Sequence, residues 1–276
     1  MRVYVEGIGL CGPGLNGWAA SLPVLAETAE HVPMPIRVPP STLLPANERR
    51  RAPQIVKIAL AVGAEAFAAA RRDPAETASV FTSSGGDGDT IHEILNVLAS
   101  TERELSPTRF HNSVHNAASG YWSIATGSRA ASSSLCCYDD SFAAGLLEAA
   151  VQAGAAQQAV ALIAYDVQYP APLSEARPIG AAFAVALVLS PAPTASALAF
   201  VDLELRPGPH APSVIASREL EMLRRSTPAA RSLPLLAALA RGAETGIILN
   251  YLDDMALALR VVPYPSGAGQ SARGLP

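Results

Sequence analysis

Two cysteines and two aspartates stand together in the stretch "SLCCYDDSFAAGLLEAA" (134–150), where an apolar helical pattern begins. A thiol at such a place can be a nucleophile, because the positive end of the helix dipole and the free N–H groups favour its thiolate. Cys136 or Cys137 could therefore carry an acyl group. Asp139 offers a different chemistry, that of an aspartyl nucleophile in a hydrolase, which requires a general base and an oxyanion site that the sequence does not locate.

Structural roles are the simpler interpretation of the same four residues. We expect Asp139 and Asp140 to cap the helix that follows, where an aspartate contributes on the order of 1 kcal/mol. Cys136 and Cys137 are expected to alternate in direction on a strand, so that one packs in the core and the other faces the opposite layer or a cavity. The sequence favours capping and inert packing over reactive groups.

Three further features could bind a metal or a phosphate. His111 and His115 are four residues apart, which could place two imidazoles on one helical face, but no carboxylate or cysteine stands beside them. The glycines of "GGDGDT" (85–90) lack the order of a phosphate-binding loop and predict a plain turn. Lys57, the single lysine, lies in a helical pattern and is expected to be solvated. We predict no metal site and no cofactor.

The composition limits the partners and the compartment. The chain has 276 residues, half of them hydrophobic and 5% aromatic, with a formal charge of -4, so neither nucleic acid nor anionic lipid is expected as a partner. Three cysteines without framework spacing fit a reducing cytosol. The start "RVYVEGIGL" predicts a strand, not a signal peptide, and no run approaches the ~20 apolar residues of a membrane span. We therefore predict a cytoplasmic protein without membrane insertion.

Strand and helix patterns alternate along residues 1–190. The predicted strands are 2–10, 78–84, 131–138, 159–166 and 180–191, and the predicted helices are 53–70, 90–101 and 140–154. The strands are continuous apolar runs, which is typical of a sheet covered on both faces and predicts the α/β class. After Pro191 the pattern changes to a strand, two short helices and two further strands. The tail 265–276 is predicted to be disordered.

The stretch "LSPTRFHNSVHNAASGYWSIATGS" (105–128), followed after a strand by "DDSFAAGLLEAA", resembles the N-terminal half of the β-ketoacyl synthases, the thiolase-fold condensing enzymes. In that family a helix of small residues precedes a strand that delivers a cysteine to the start of a long central helix. That cysteine is acylated and a decarboxylated malonyl unit attacks the thioester. The resemblance implies a thiolase-like layered α-β-α fold, with a complete N-terminal half at 1–190 and a shortened C-terminal half at 191–264 packed on it.

The register of the resemblance decides which residue takes the nucleophile position. In the family the nucleophile is followed by a small residue and then Ser or Thr, with a Glu-Ala pair about nine positions after it. Ser141 and Glu148–Ala149 satisfy this spacing if Asp139 occupies the nucleophile position, and counting from Gly127 reaches the same residue. The resemblance therefore favours Asp139.

A shift of the match by two residues keeps an alternative open. It would place Cys137 at the nucleophile position, but Tyr138 would then stand where the family has a small side chain. Active synthases also carry two catalytic groups, usually histidines, in glycine-rich motifs of the second half. The one histidine after Pro191, His210 in "RPGPHAP", matches neither motif. The resemblance thus implies a chain that lacks both the nucleophile and its histidine partners.

A condensing-enzyme fold without these groups is similar to the chain-length factors that pair with active ketosynthases. Short chains of this kind are known from aryl polyene and xanthomonadin-type pigment clusters, and the sequence looks most like those. The resemblance implies a heterodimer with an active β-ketoacyl synthase, an indirect relation to an acyl-carrier protein, and a role in bounding the acyl tunnel without breaking bonds. The alternative is a small acyltransferase or ketosynthase that uses Cys137 or Cys136.

The same resemblance assigns contact residues. Those expected at the tunnel or the dimer interface are Phe110, His111, Asn112, His115, Asn116, Tyr138 and Phe142. The basic run Arg49, Arg50 and Arg51 is expected either to be a solvated helix start, with its charges unfavourably placed against the helix dipole, or to contact the carrier protein.

Overall fold

The computed structural model describes residues 1–39, 43–101 and 103–265. The elements up to residue 126 are β1 (Arg2–Gly12), β2 (Leu15–Asn16), α1 (Trp18–Leu25), α2 (Ala46–Arg51), α3 (Gln54–Ala70), β3 (Ala78–Thr82), α4 (Gly88–Ala99), α5 (Pro107–Asn112) and α6 (Ala117–Thr126). The elements after it are β4 (Ser132–Leu135), α7 (Ser141–Ala156), β5 (Val160–Asp166), α8 (Leu173–Ala176), β6 (Phe183–Ser190), β7 (Ala199–Pro207), α9 (Arg218–Ser226), α10 (Leu233–Arg241), β8 (Thr245–Asn250) and β9 (Met255–Pro263).

Among the described residues, nine strands form a single sheet in the order β4-β3-β5-β6-β1-β7-β9-β8, with β2 paired to β1. β4, β3 and β5 are parallel neighbours, whereas the remaining pairs are antiparallel. β1 is the strand that joins the two parts of the chain, because it pairs with β6 along Tyr4–Cys11 and with β7 along Arg2–Val5. The strands after residue 190 therefore extend the first sheet.

Helices cover the sheet on both faces around β1. α3 and α6 pack with Phe81, Ile163 and Val188 in one buried cluster, whereas α7 and α10 pack with Leu162 and Leu187 in the other. α3 lies directly on β1, because a Cβ atom at Gly9 would come within 1.9 Å of the Val62 carbonyl oxygen. Only glycine allows this approach, and the α/β arrangement with a sheet covered on both faces is confirmed.

The boundaries differ from the predictions near residue 138. β4 ends at Leu135, and a 3₁₀ turn over Tyr138–Asp140 separates it from α7. α1 was not predicted, because its sequence contains Pro23 and follows a run of turn residues. The predicted disordered tail lies outside the described residues except for residue 265. None of the helices formed by the described residues has the length and apolar character needed to cross a bilayer.

Candidate functional site

The parallel strands β3, β4 and β5 end at one edge of the sheet and bring their following residues together there. Ser83 and Ser84 follow β3, Cys136 and Cys137 follow β4, and Asp166 ends β5. The Cys136 thiol donates a hydrogen bond to the Ser84 carbonyl oxygen at 3.2 Å, which joins two of these strand ends. Ligands bind beyond the carboxyl ends of strands in open α/β sheets, so this strand-end site is the natural place to test for chemistry.

Two aspartates and two arginines form an ion-pair cluster at this edge, which we call the arginine clasp (Asp139, Asp140, Arg177 and Arg231). Arg177 Nη2 lies 2.5 Å from Asp139 Oδ1, and Arg231 Nη2 lies 3.0 Å from Asp139 Oδ2. Arg231 Nη1 also lies 2.6 Å from Asp140 Oδ1. Both carboxylate oxygens of Asp139 are therefore bonded to guanidinium groups, which stabilise the anion and lower its nucleophilicity.

The predicted capping of α7 by the two aspartates is wrong. Neither aspartate accepts a hydrogen bond at the start of α7; instead Ser141 Oγ accepts the Cys137 N–H at 3.0 Å and donates to the Tyr138 carbonyl oxygen at 2.7 Å. Arg177 and Arg231 come from distant parts of the chain and offer charged partners, which bind a carboxylate more strongly than neutral N–H groups do. Burial raises the pKa of the Asp140 carboxyl, and Arg231 opposes this rise.

Neither cysteine at the strand end packs in the core, so the prediction of a buried strand cysteine is wrong. Cys136 is exposed and Cys137 is half-buried, because both lie beyond the end of β4. Burial, followed by the neighbouring Cys136 and Asp140, raises the pKa of the Cys137 thiol. Within the described part of the chain, no hydrogen bond joins either cysteine to a histidine. Cys137 is therefore held as a thiol without a base.

Asp166 is a buried carboxylate that the sequence interpretation missed. It accepts hydrogen bonds from the Ser84 N–H at 2.8 Å, the Ser84 hydroxyl at 2.7 Å, the Ser83 hydroxyl at 3.2 Å and the Ala229 N–H at 2.8 Å. Burial raises its pKa to about 6, although these hydrogen bonds act in the opposite direction. The only sequence signal is an aspartate that closes the apolar strand "AVALIAYD". Asp166 joins β3, β5 and the segment before α10.

The glycine-rich stretch after β3 turns over Gly85–Asp87, as predicted, and α4 begins at Gly88. The Asp87 carboxylate accepts the Thr90 N–H at 3.2 Å and so caps α4. Tyr169 packs directly on the turn, because a Cβ atom at Gly85 would come within 2.0 Å of its hydroxyl oxygen and one at Gly88 within 2.3 Å of its ring. The described residues contain no group of three His, Cys, Asp or Glu side chains that could hold a metal ion.

The residues assigned to the tunnel or interface lie in different environments. Phe110 is exposed, and the edge of His111 packs against Tyr121 with a centroid separation of 6.0 Å. Asn112 is buried, donates to the Arg51 carbonyl oxygen at 3.1 Å and accepts from the Tyr121 hydroxyl at 3.0 Å. α5 ends at Asn112, so His111 and the later His115 do not share a helix.

Three other residues assigned to the tunnel or interface also differ in their exposure to solvent. Asn116 is exposed and precedes α6 without making a side-chain cap. Tyr138 is 60% exposed, whereas Phe142 is 1% exposed and belongs to the hydrophobic core. Phe142 therefore has almost no exposed surface in this chain, and its assignment to the tunnel or interface stays a prediction.

His115 and Tyr165 line a narrow cavity between α3, β5 and the turn from α5 to α6. Tyr165 is 2% exposed. Its hydroxyl and both ring nitrogens of His115 have no hydrogen-bond partner. Burial lowers the pKa of His115, which favours the neutral imidazole. This cavity leaves polar atoms unpaired, in contrast to the clasp.

The three arginines do not begin a helix, and the expected conflict with the helix dipole is absent. Arg49, Arg50 and Arg51 form the last turn of α2, where the dipole favours positive charge. Pro53 separates α2 from α3, which explains why the sequence suggested one helix start. Arg50 binds Asn47, and Arg51 lies 3.5 Å from Glu48.

The helices α4, α5 and α6 and the turn between α5 and α6 each expose large apolar side chains. We call the following set the apolar patch: Ile91, Leu95 and Leu98 of α4, Phe110 of α5, Val114, and Ile124 of α6. The Arg109–Glu93 ion pair at 2.7 Å links α5 to α4, and the hydroxyls of Ser119 and Ser134 at 3.3 Å link α6 to β4. β4 lies at the end of the sheet, and its outer edge pairs with no strand among the described residues.

Comparison with known proteins agrees with this fold. A solved ketosynthase (ApeO) in complex with its chain length factor (ApeC) from Xenorhabdus doucetiae matches with a TM-score of 0.72 and 22% identity, covering 94% of this chain and 99% of that chain. A type II PKS acyl-carrier protein in complex with its ketosynthase bound to the hexaketide (AntDE:AntF) matches with a TM-score of 0.75 and 12% identity, over 95% and 99% of the two chains.

The ishigamide ketosynthase/chain length factor matches with a TM-score of 0.69 and 13% identity, over 95% of this chain and 99% of that chain. These likenesses confirm the predicted thiolase-like fold. A search of curated proteins gives no match. The family model described as "Beta-ketoacyl synthase, N-terminal domain" matches residues 21–245, more than half of the chain. The protein therefore belongs to the β-ketoacyl synthase N-terminal domain family.

Proposed function

We propose that this protein is a non-catalytic chain-length factor, which pairs with an active β-ketoacyl synthase and bounds the acyl tunnel in polyene, polyketide or fatty-acid-like biosynthesis. The observation that carries the proposal is the arginine clasp. Asp139, the residue expected at the nucleophile position, has both carboxylate oxygens bonded to Arg177 and Arg231. A carboxylate held in this way is a poor substitute for a thiolate, because the two guanidinium groups stabilise the anion and lower its nucleophilicity.

The histidines support the same conclusion. Nucleophilic acyl transfer needs a base or a hydrogen-bond donor aimed at the reacting group. In the described part of the chain the histidines make other contacts or none. His31 bonds the Pro13 carbonyl oxygen, His92 bonds Asn96, His210 bonds the Pro207 carbonyl oxygen, His111 packs on Tyr121 and His115 lines its cavity. No imidazole is bonded to Asp139 or to the two cysteines beside it.

The apolar patch and the free edge of β4 support a heterodimer. Leu95 is 58% exposed and Phe110 is 64% exposed, and large exposed apolar side chains are a common feature of interaction surfaces. An unpaired strand edge also favours pairing with another chain. Two of the similar solved structures are named as a ketosynthase with its chain length factor. We propose the corresponding partner for this chain.

We further propose an indirect relation to an acyl-carrier protein. Arg49, Arg50 and Arg51 would meet its acidic surface, and α2 is joined to α5 through the hydrogen bond from Asn112 to the Arg51 carbonyl oxygen. The likeness, at 22% identity, to the structure of a ketosynthase with its chain length factor supports the aryl polyene type of pathway. The three free cysteines support a location in the cytoplasm.

Co-expression with an active β-ketoacyl synthase of the same biosynthetic cluster tests the proposal. We expect a stable 1:1 complex in size-exclusion chromatography with light scattering, and a defined product length that the synthase alone does not give. Leu95→Glu should abolish the complex because it places a charge in the apolar patch, whereas Val214→Glu at a 71% exposed site outside the patch should not. A synthase that is fully active alone, with the same product, would disprove the proposal.

A small acyltransferase is the second candidate, and the exposure of Cys136 is the observation that favours it. Incubation with an acyl-carrier thioester, followed by intact-mass measurement, separates the two functions. A chain-length factor should show no acyl adduct on either cysteine. An adduct that persists in Cys137→Ser and disappears in Cys136→Ser would establish the acyltransferase.

A further inference from the structure

Tyr138 has a backbone conformation that a bulky residue rarely adopts. Its φ angle is 50°, in the left-handed region, and the residue lies in the 3₁₀ turn between β4 and α7. A residue with a Cβ atom there costs about 1 kcal/mol relative to glycine. The tyrosine ring gains little burial in return, because the residue is 60% exposed. Strain that is kept at an exposed residue indicates a role outside the stability of the chain.

The arginine clasp holds the Tyr138 ring in place. The guanidinium carbon of Arg177 lies 3.6 Å from the ring centroid, which is a close cation–π contact. Arg177 is itself bonded to Asp139, and Asp139 to Arg231. The side chains of Arg177 and Arg231 are only 17% and 24% exposed, so the support beneath the ring is firmly packed. The ring is therefore presented to solvent in one orientation.

The place and the charge of this group fit a protein interface. Tyr138 follows the end of β4, the edge strand of the sheet, and the Cys136 hydrogen bond to the Ser84 carbonyl oxygen connects the same turn to the loop before α4. The clasp contains two positive and two negative side chains, so its own charges balance beneath the ring. A neutral aromatic group that is held rigid matches an apolar pocket better than an acidic carrier protein.

We propose that Tyr138 is the preorganised anchor of the heterodimer and that its ring enters an uncharged, apolar pocket of the ketosynthase partner. This inference rests on the proposed function and names the contact on which it depends. Tyrosine is among the residues that contribute most to protein interfaces, because its ring buries a large area at a small entropic cost. The clasp reduces that cost further by fixing the ring before association.

The affinity of Tyr138 variants for the co-expressed ketosynthase tests the anchor, measured by calorimetry or biolayer interferometry. Tyr138→Gly removes the ring and relieves the backbone strain, so it should bind at least about tenfold more weakly while its thermal stability is unchanged or higher. Tyr138→Phe should keep most of the affinity. Met222→Ala, at a 59% exposed site on α9, is the matched control and should bind like the wild type.

Two further results complete the test. Arg177→Met removes the cation beneath the ring and should weaken binding less than Tyr138→Gly does. Because the anchor is neutral, the effect of Tyr138→Gly should be the same at low and high salt. Wild-type affinity in Tyr138→Gly and Tyr138→Ala would overturn the anchor and leave the chain-length factor proposal standing. Failure of the wild-type chain to bind any ketosynthase of its cluster would overturn both.

Discussion

The carboxyl end of the parallel strands and the side formed by α4 to α6 differ in how many of their polar groups find hydrogen-bond partners within the chain. At the strand ends, Asp139 and Asp166 have their carboxylate oxygens bonded by partners from distant segments. On the other side, α4 buries only Gly88 and Thr90, and His115 has unpaired ring nitrogens. We call the strand ends the closed corner, because these carboxylates are paired within the chain, and the side formed by α4 to α6 the open side.

At the closed corner, removal of the Asp166 carboxylate should give the largest loss of stability. Asp166→Ala would leave the buried N–H groups of Ser84 and Ala229 without acceptors, so the free energy of unfolding should fall by about 3 kcal/mol or more. Urea denaturation followed by circular dichroism measures this change. Asp253→Ala, at an exposed residue, is the control and should change stability by no more than about 0.5 kcal/mol. Equal effects of the two variants would show that the Asp166 network is unimportant.

Asp166 should also make the stability of the protein depend on pH, and its pKa fixes the sign of this dependence. Its pKa is about 6 in the folded chain, above the ordinary value of about 4, so the folded state binds the proton more tightly than the unfolded state. The contribution of Asp166 to the free energy of unfolding should therefore fall by about 2 to 3 kcal/mol as the pH rises from about 4 to about 6, and should then stay constant. Asp166→Asn should lack this fall. A wild-type chain that gains stability relative to Asp166→Asn over that range would contradict the assignment.

Mutation of the arginine clasp should lower the free energy of unfolding less than mutation of the buried Asp166 network, because the side chains of the clasp are partly exposed. Arg231→Met would leave Asp139 and Asp140 with fewer cationic partners, and we expect a loss of about 1 to 3 kcal/mol in the free energy of unfolding. Arg206→Met, which removes an exposed pair with Glu204, should cost at most about 0.5 kcal/mol. Similar losses in both variants would mean that the clasp is an ordinary surface ion pair.

On the open side, removal of a buried hydroxyl should raise the stability of the protein instead of lowering it. Tyr165→Phe removes an unpaired polar atom from the cavity beside His115, so it should raise the free energy of unfolding by about 1 kcal/mol. Tyr121→Phe removes a hydroxyl that donates to Asn112 at 3.0 Å, so it should lower the free energy of unfolding by a similar amount. Thermal melts of the two variants compare the signs directly. A loss in both would show that the Tyr165 hydroxyl has a favourable partner.

The smallest expected effect is the one on catalysis. Asp139→Cys restores a thiol at the expected nucleophile position, but no histidine is bonded nearby and Arg177 and Arg231 remain. We expect no condensation with an acyl and a malonyl carrier thioester, measured by mass spectrometry. The wild-type chain, whose Cys136 is exposed, is the control for adventitious thiol reactivity. Turnover in Asp139→Cys but not in the control would show that the closed corner can still support the condensation reaction.

The sequence predicted the elements that depend on local pattern. β3, β5 and β6 are continuous apolar runs because helices cover both faces, and each was predicted within three residues of its bounds. The turn over Gly85–Asp87 was predicted from its glycines, which lack the order and the lysine of a phosphate-binding loop. The assignment of Asp139 to the nucleophile position stays a prediction, since it depends on the spacing to Ser141 and Glu148.

The features that the sequence did not reveal depend on residues far apart in the chain. Arg177 lies 38 residues from Asp139, and Arg231 lies 92 residues from it. Ala229 lies 63 residues from Asp166. Such contacts leave no periodic pattern, so Asp139 and Asp140 resembled helix caps and Asp166 resembled the end of a strand. The exposure of Cys136 was missed because β4 ends at Leu135, three residues before the predicted end of the strand at 138.

β1 pairs with β6 on one side and with β7 on the other, so neither part of the chain has a sheet of its own. If the strands after residue 190 unfolded, β1 would lose β7 as its neighbour. Asp166 would lose the Ala229 N–H donor in the same event. Loss of order in one part thus propagates at once to the other. The molecule should unfold as one cooperative unit, with calorimetric and van't Hoff enthalpies that agree.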